Sequence, residues 1–360
     1  MSDSPRSVRA IPHDALVEIV QLAVHAPSGD NAQPWAFALG EDSLTLLTIP
    51  GADATLYNFR ERGSYLAHGA VIENIVLAAA QRGYQASVYL LPQTPDATAR
   101  ISFVAGVPAP DPLATMILMR ATNRKPYEVK PLAVQDREAV AGAAHGVEGV
   151  EARLVEDTSD IAALAVAISV NERLLMENRQ LHDFLFGMIR WSQADEEAKP
   201  GLYVKTMELP PPVQILFRFV LRYWPAVRAL NLIGLSRFIP KQSALVYCAS
   251  SAIGVIILKD EAEADFIQAG RAFERVWLAA TLRGLQLQPV TAIPYLMQRV
   301  RAGETASLSQ AHCAIISDAY STMSRIFQLA EGEHIAMLFR LGYGDAPSAT
   351  SAKAAPVLRT

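Results

Sequence analysis

Residues 69–83 read GAVIENIVLAAAQRG and residues 270–284 read GRAFERVWLAATLRG. Aligned without gaps at an offset of 201, they are identical at seven of fifteen positions. Both space apolar residues three and four apart and end on Arg-Gly, the pattern of an amphipathic helix closed by a glycine cap. A strand-like run follows each. A second pair, 12–23 (PHDALVEIVQLA) and 131–144 (PLAVQDREAVAGAA), starts on proline, passes through an acid and continues as an Ala/Val-rich helix. Its offset is only ~120, so a single duplication requires roughly 80 additional residues in the second copy. We place that insertion at about 160–243, which gives a first copy over 1–115 and a second over 116–360. Within it, 161–191 reads as a long helical pattern, and 198–212 (AKPGLYVKTMELPPP) as a proline-bounded loop. Residues 213–235 read as a helical hairpin broken at Pro225 and carrying Arg218, Arg222 and Arg228, with a segment lying on a membrane surface as the alternative. An insertion of this size beside a binding site acts as a lid. After it, 243–258 reads as a buried strand.

The composition narrows the function. Of 360 residues, 51% are hydrophobic and 19% charged, enough apolar material for a globular core and too much for a disordered chain. With 32 basic and 36 acidic side chains and no basic stripe, nucleic-acid binding is not expected. The N-terminal 29 residues lack an apolar signal core, because Arg6, Arg9, His13, Asp14 and Glu18 interrupt them. No stretch reaches the roughly 20 apolar residues of a membrane span. Cys248 and Cys313 lie in apolar surroundings and read as buried hydrophobes, so a reducing cytoplasm is expected. There is no His-Glu-x-x-His, no paired-cysteine spacing, no P-loop and no Gly-x-Ser-x-Gly elbow, so neither a metal site nor a nucleophile is expected. His68 and His182 sit in apolar helical patterns and read as hydrogen-bonded core residues.

The segments flanking the helices carry a resemblance. Residues 26–35 read APSGDNAQPW, 120–127 read RATNRKPY, and 288–292 read QPVTA. Together they resemble the FMN-dependent nitroreductases, and most closely the tandem, Acg-type nitroreductase-like proteins, over almost the whole chain. The resemblance implies an α+β, nitroreductase-like fold of two fused copies mimicking the family homodimer, a monomer acting as a pseudo-dimer, with the helical lid in the second copy. It implies FMN, with NAD(P)H as a transient electron donor, and a small-molecule acceptor; the charge balance and the lack of a spanning stretch give the expectation of no nucleic acid and no membrane. The chemistry would be hydride transfer through flavin N5, with no catalytic side chain, because the flavin carries the reaction. The alternative is an FMN-sequestering protein whose closed lid prevents turnover.

The motifs are unevenly shared. The second copy has His145-Gly-Val-Glu-Gly-Val150 where the first has the Pro-Ser, Asn and Gln-Pro-Trp, and the first has Pro5-Arg6-Ser7-Val8-Arg9 in place of the arginine motif. One competent site per chain is therefore expected. Arginine forks and a hydroxyl suit a phosphate, which makes Arg120, Thr122 and Arg124 the phosphate set, on one face of an extended segment before Pro126, with Asn123 beside them. Lys353 matches loosely a phosphate-contacting arginine of the family. By resemblance, Pro27, Ser28, Asn31 and Gln33 approach the ring from the first copy, while Trp35 packs in the core. The 289–292 turn, Pro289, Val290, Thr291 and Ala292, would face the ring, with an amide of Thr291 or Ala292 near N5. The family has Glu-Gly where this chain has Thr-Ala.

Overall fold

A computed structural model describes residues 10–199 and 201–359. The arginine-motif counterpart at 5–9 therefore lies outside the described residues. The first half runs α1 (His13–Ala23), β1 (Trp35–Leu39), β2 (Ser43–Thr48), α2 (Arg62–Gln81), β3 (Tyr84–Leu90) and β4 (Ala97–Ala105). The second begins with α3 (Val134–Gly142) and β5 (Val150–Val155). A helical stretch follows: α4 (Thr158–Ile168), α5 (Val170–Glu177), α6 (Arg179–Met188), β6 (Ile189–Arg190), α7 (Gln193–Ala198), β7 (Leu202–Tyr203), α8 (Pro211–Leu216), α9 (Trp224–Asn231) and α10 (Leu235–Cys248). The chain closes with β8 (Ala252–Leu258), α11 (Glu263–Leu282), β9 (Gln286–Pro289), α12 (Ala292–Arg301), α13 (Gln310–Ile326), β10 (His334–Gly342) and β11 (Leu358–Arg359). The fold is α+β.

The two helices bearing the repeat, α2 and α11, start and stop at positions exactly 201 apart, and Gly83 and Gly284 end them at φ +79 and +71. Such left-handed backbone is what a glycine cap supplies. They pack on each other where Gly69 meets Gly270. A Cβ on Gly69 would lie 1.9 Å from the Ile267 carbonyl oxygen, and one on Gly270 would lie 1.9 Å from that of Leu66. Ile267 and Leu66 are themselves 201 apart, so the contact is reciprocal, as about a two-fold axis. Each helix lies on its own sheet, antiparallel throughout in the second half and over four of five strands in the first. The sheet orders, β1-β2-β4-β3 and β5-β8-β10-β9, become the same order when strands are matched by position in each half.

The halves differ in what covers them. In β3 burial alternates residue by residue, the mark of a sheet packed on one face only. All seven residues of β8 are buried, because α11 covers one face of that sheet and the inserted helices with α12 and α13 cover the other. The inserted segment runs from 156 to 251, between β5 and β8, where the first half has only a turn at 40–42. It is wider at both ends than the sequence estimate. The expected long helix over 161–191 is three helices, broken at Ser169 and at Asn178, whose side chain caps α6 by accepting from Leu181 N. Residues 243–248 end helix α10 rather than begin a strand, so only 252–258 extends. The C-terminal tail leaves the second sheet and returns to the first, where β11 pairs parallel with β1. Among the described residues no helix is long and apolar enough to cross a membrane.

Candidate functional site

One cleft, about 610 Å³ of empty space including its mouth, opens where the halves and the insertion meet. Its walls come from four pieces of chain. The loop after α1 supplies Pro27, Ser28, Asp30 and Asn31; the segment entering the second half supplies Arg120, Thr122 and Arg124. The insertion adds Leu202 and Thr206, and the returning tail adds Ser351 and Lys353. The structure thus brings together seven of the residues singled out from the sequence.

Each wall is held by backbone. Segment 120–124 runs along the edge strand β9 through a parallel bridge between Thr122 and Leu287 and a bond from Asn123 N to Leu287 O. Beneath it, the fully buried Arg340 donates to Lys125 O at 2.8 Å and Gln288 Oε1 at 2.7 Å, and stacks 4.0 Å over Tyr127. In the first loop Asp30, Asn31 and Gln33 have φ of 44, 58 and 50, left-handed values costly outside glycine and mildest for Asp and Asn. The tail fixes this loop. Asn31 Nδ2 donates to Ala352 O at 2.8 Å, Ala354 N donates to Gln33 Oε1 at 3.1 Å, and Gln33 N donates to Ser28 Oγ at 3.0 Å.

The charge is predominantly positive. Lys353 Nζ donates to Ala26 O at 2.8 Å and Asn31 Oδ1 at 3.0 Å; burial, then the neighbouring Arg120, push its ammonium down to about 7. His25 is lowered by burial, then by Lys353 and Arg120. Arg120 donates to His25 O, stacks 4.3 Å over Trp277, and forms an ion pair with buried Glu274 at 3.3 Å, outside hydrogen-bond alignment. Glu274 is raised to about 6, mainly by burial. Arg124 donates to Thr206 O at 2.9 Å. Against these cations stands Asp30, whose carboxyl is raised by burial although Arg124 opposes the shift.

Other residues singled out from the sequence lie apart from the cleft lining. Asn123 is fully buried and spends its amide on Gln286 Oε1 and Asp345 O, so it shapes the segment rather than facing the cleft. Gln33 binds the tail, leaving its buried Nε2 unpartnered. Pro289 ends β9 and Val290 is core; Thr291 precedes α12, its hydroxyl turned to Leu338 O at 3.2 Å, and Ala292 opens that helix. Trp35 is buried at the start of β1. His68 bonds Pro34 O at 2.9 Å and His182 bonds Leu221 O at 2.8 Å, both buried. Sequence reasoning passed over Asp30 as a variable position of its motif; its place after Gly29 carries no charge signal, because its nearness to Arg124 comes only with the fold. Arg340 left no sequence signal, because its role is set by long-range contacts.

No family model matches the chain. It is 26% identical over 353 residues to an uncharacterised protein of Mycobacterium tuberculosis, an alignment covering 96% of this chain. The chain spans about half, 48%, of that relative's length. It is 28% identical over 284 residues to a Mycobacterium tuberculosis protein whose given name proposes an NAD(P)H nitroreductase, covering 76% of this chain and 75% of that one. Among solved structures, a Bacteroides fragilis nitroreductase with bound FMN aligns over 68% of this chain and 94% of its own, at 13% identity and a TM-score of 0.37. A superposition that loose assigns nothing to this chain.

Proposed function

We propose that the chain is an FMN-dependent oxidoreductase of the nitroreductase type, with one flavin site in the cleft between the halves. The observation that carries this is the meeting of Arg120 and Arg124 of one segment with Lys353 of the returning tail in one cleft, together with the hydroxyls of Thr122 and Ser351. A dianionic phosphate fits that donor set. Two arginines offer forked donors, and an anion would favour the charged form of Lys353, which burial and then Arg120 disfavour. The name given to the Mycobacterium tuberculosis relative agrees with this reading.

When bound, FMN supplies two-electron chemistry, taking hydride from NAD(P)H and passing it to an organic acceptor. The chain's own part is position and charge. Arg120 and Arg124 hold the phosphate, with Lys353 as a point charge; Pro27, Ser28 and Asn31 line the first half's side of the ring, and Gln33 ties that loop to the tail. On this reading the amides of Thr291 and Ala292 serve the ring edge, an assignment that rests on the sequence resemblance, as does the role of the 289–292 turn. Leu202 and Thr206 of the insertion close the cleft and exclude water. An absorption spectrum of the purified protein after incubation with FMN tests the proposal, followed by anaerobic mixing with NADH or NADPH. Bound yellow chromophore that bleaches on mixing is expected. A protein that takes up no FMN overturns the reading, and a bound flavin that only chemical reductants bleach replaces it with flavin sequestration.

A further inference from the structure

The inserted segment presents a face that the rest of the described chain leaves open. Between Glu208 and Asp260 there is no acidic residue, whereas six bases fall there; the remainder of the chain holds all 36 acids against 26 bases. A protein of net charge -4 thus concentrates positive charge on one segment. Over 211–248 of that segment, eight large apolar side chains are turned outward. From 215 to 223 the exposed positions are Ile215, Leu216, Phe219 and Tyr223, with Arg218 and Arg222 between them. The tip between α9 and α10 exposes Leu232 and Ile233 at 89% and 83%, and α10 adds Phe238 and Leu245 beside Arg237 and Lys241. The guanidinium of Arg218 lies 5.6 Å over the Phe219 ring and that of Arg222 lies 5.3 Å over Tyr223.

An ordinary surface helix turns polar residues to water, so this run of outward aromatic and aliphatic side chains along one segment marks a contact surface. Its charge decides the partner. A second copy meeting this face symmetrically would set like charges against like and gain no compensation. Nucleic acid would satisfy the arginines but leave Leu232 and Ile233 against phosphates and sugars. An anionic bilayer satisfies both, with guanidinium groups at the headgroup phosphates and apolar side chains at the acyl boundary. We propose that residues 211–248 dock the protein on an anionic lipid surface. Docking of this kind needs no spanning helix. The chain passes from Thr206 in the cleft wall through Pro210 directly into α8, so the lipid-facing surface and one wall of the cleft are one continuous piece of the insertion.

Co-sedimentation of the full chain with vesicles of equimolar phosphatidylglycerol and phosphatidylcholine, against phosphatidylcholine alone, tests the proposal independently of the flavin. Binding to the anionic vesicles only, weakened by salt, is expected. The double substitution Leu232→Ser with Ile233→Ser should weaken it by about tenfold or more, and Arg218→Glu with Arg222→Glu should act likewise. Thermal melts matching the parent protein confirm that these exposed positions leave folding intact. Absence of binding to anionic vesicles, equal binding of parent and variants, or binding indifferent to lipid charge overturns it. So does a dimer in sedimentation velocity that Ile233→Ser dissociates, which would give the face to a second copy, or duplex DNA binding that the Leu232 and Ile233 changes leave intact.

Discussion

Adding one methyl group at the crossing of α2 and α11 should open the molecule at its centre. The Cβ of Gly69→Ala would fall 1.9 Å from Ile267 O, 2.8 Å from Arg271 N and 2.8 Å from Gly270 Cα. All three are backbone atoms, so no side-chain rotation can clear them. Ordinary contact begins at 3.4 Å, which requires the helices to part by about 1.5 Å. Parting them loosens contacts across a buried interface that includes Leu66, Ala70 and Ile267. Overpacking of a core costs about 1–3 kcal/mol, and a purely backbone clash belongs at or above the upper end. Replacing a helical glycine by alanine returns about 1 kcal/mol. A net loss of about 2 kcal/mol is expected for Gly69→Ala, and the same for its mirror Gly270→Ala, where the clash is with Leu66 O at 1.9 Å. One separation relieves both clashes, so the double variant should lose less than the sum. Urea unfolding followed by tryptophan fluorescence, with Trp277 on α11 as a buried reporter, measures each. Gly146→Ala, which meets nothing within 4 Å, is the neutral control. A Gly69→Ala protein as stable as the parent would refute the claim that the two halves are held at this crossing.

Two predictions bear on the cleft. Arg124→Ala should weaken FMN retention by about 1.5–3 kcal/mol, the range for hydrogen bonds to a charged group, read by equilibrium dialysis; unchanged retention removes Arg124 from the phosphate set. Because Lys353 sits near 7 without ligand and an anion favours its charged form, FMN affinity should fall as pH rises above 7, by up to about tenfold per unit, and Lys353→Met should flatten that slope; an affinity level across the same window counts against Lys353 as a ligand. The linked sign for folding is opposite. The unfolded chain, with Lys353 at its ordinary 10.5, binds more protons between about 7 and 10.5, so this lysine makes the ligand-free protein gain stability as pH climbs through that window.

The repeated helices were legible because close helix packing leaves a sequence record. Gly69 and Gly270 are small where backbones touch, and Gly83 and Gly284 mark where each helix must end. The cleft loop was legible through linked motifs, although Asp30 was not, since its left-handed backbone and its placement toward Arg124 depend on the fold. The insertion was hardest. Helix periodicity runs through Ser169 and Asn178 almost unbroken, and only the capping chemistry of Asn178 hints at the break. Residues 243–248 are rich in residues that suit either a strand or a helix end, and packing against α4 and α5 settles the matter. The strand β11 has two exposed residues and no periodicity, so its pairing with β1 could not be read ahead.

The pairing of α2 with α11 explains why the cleft is one-sided. Glu73 and Glu274 occupy matching positions, both buried, at the centre of the helix pair. Glu73 is neutralised across the crossing by Arg271 at 3.0 Å and Arg275 at 2.8 Å, with Asp111 completing a closed network. The positions matching those two arginines in the first half are Ala70 and Asn74, which bring no charge. Glu274 must therefore find its cation elsewhere, and it finds Arg120. A buried carboxylate without a partner costs several kcal/mol, so this substitution is forced rather than incidental. Drawing Arg120 inward places it at the back of the cleft beside Lys353, a cation that also lies near Glu196, while Asp30 faces Arg124 in the same cleft. On the mirrored side Arg271 and Arg275 meet Glu73 and Asp111 in direct ion pairs, so among the described residues the matching carboxylate draws its cations from α11 and none from the cleft.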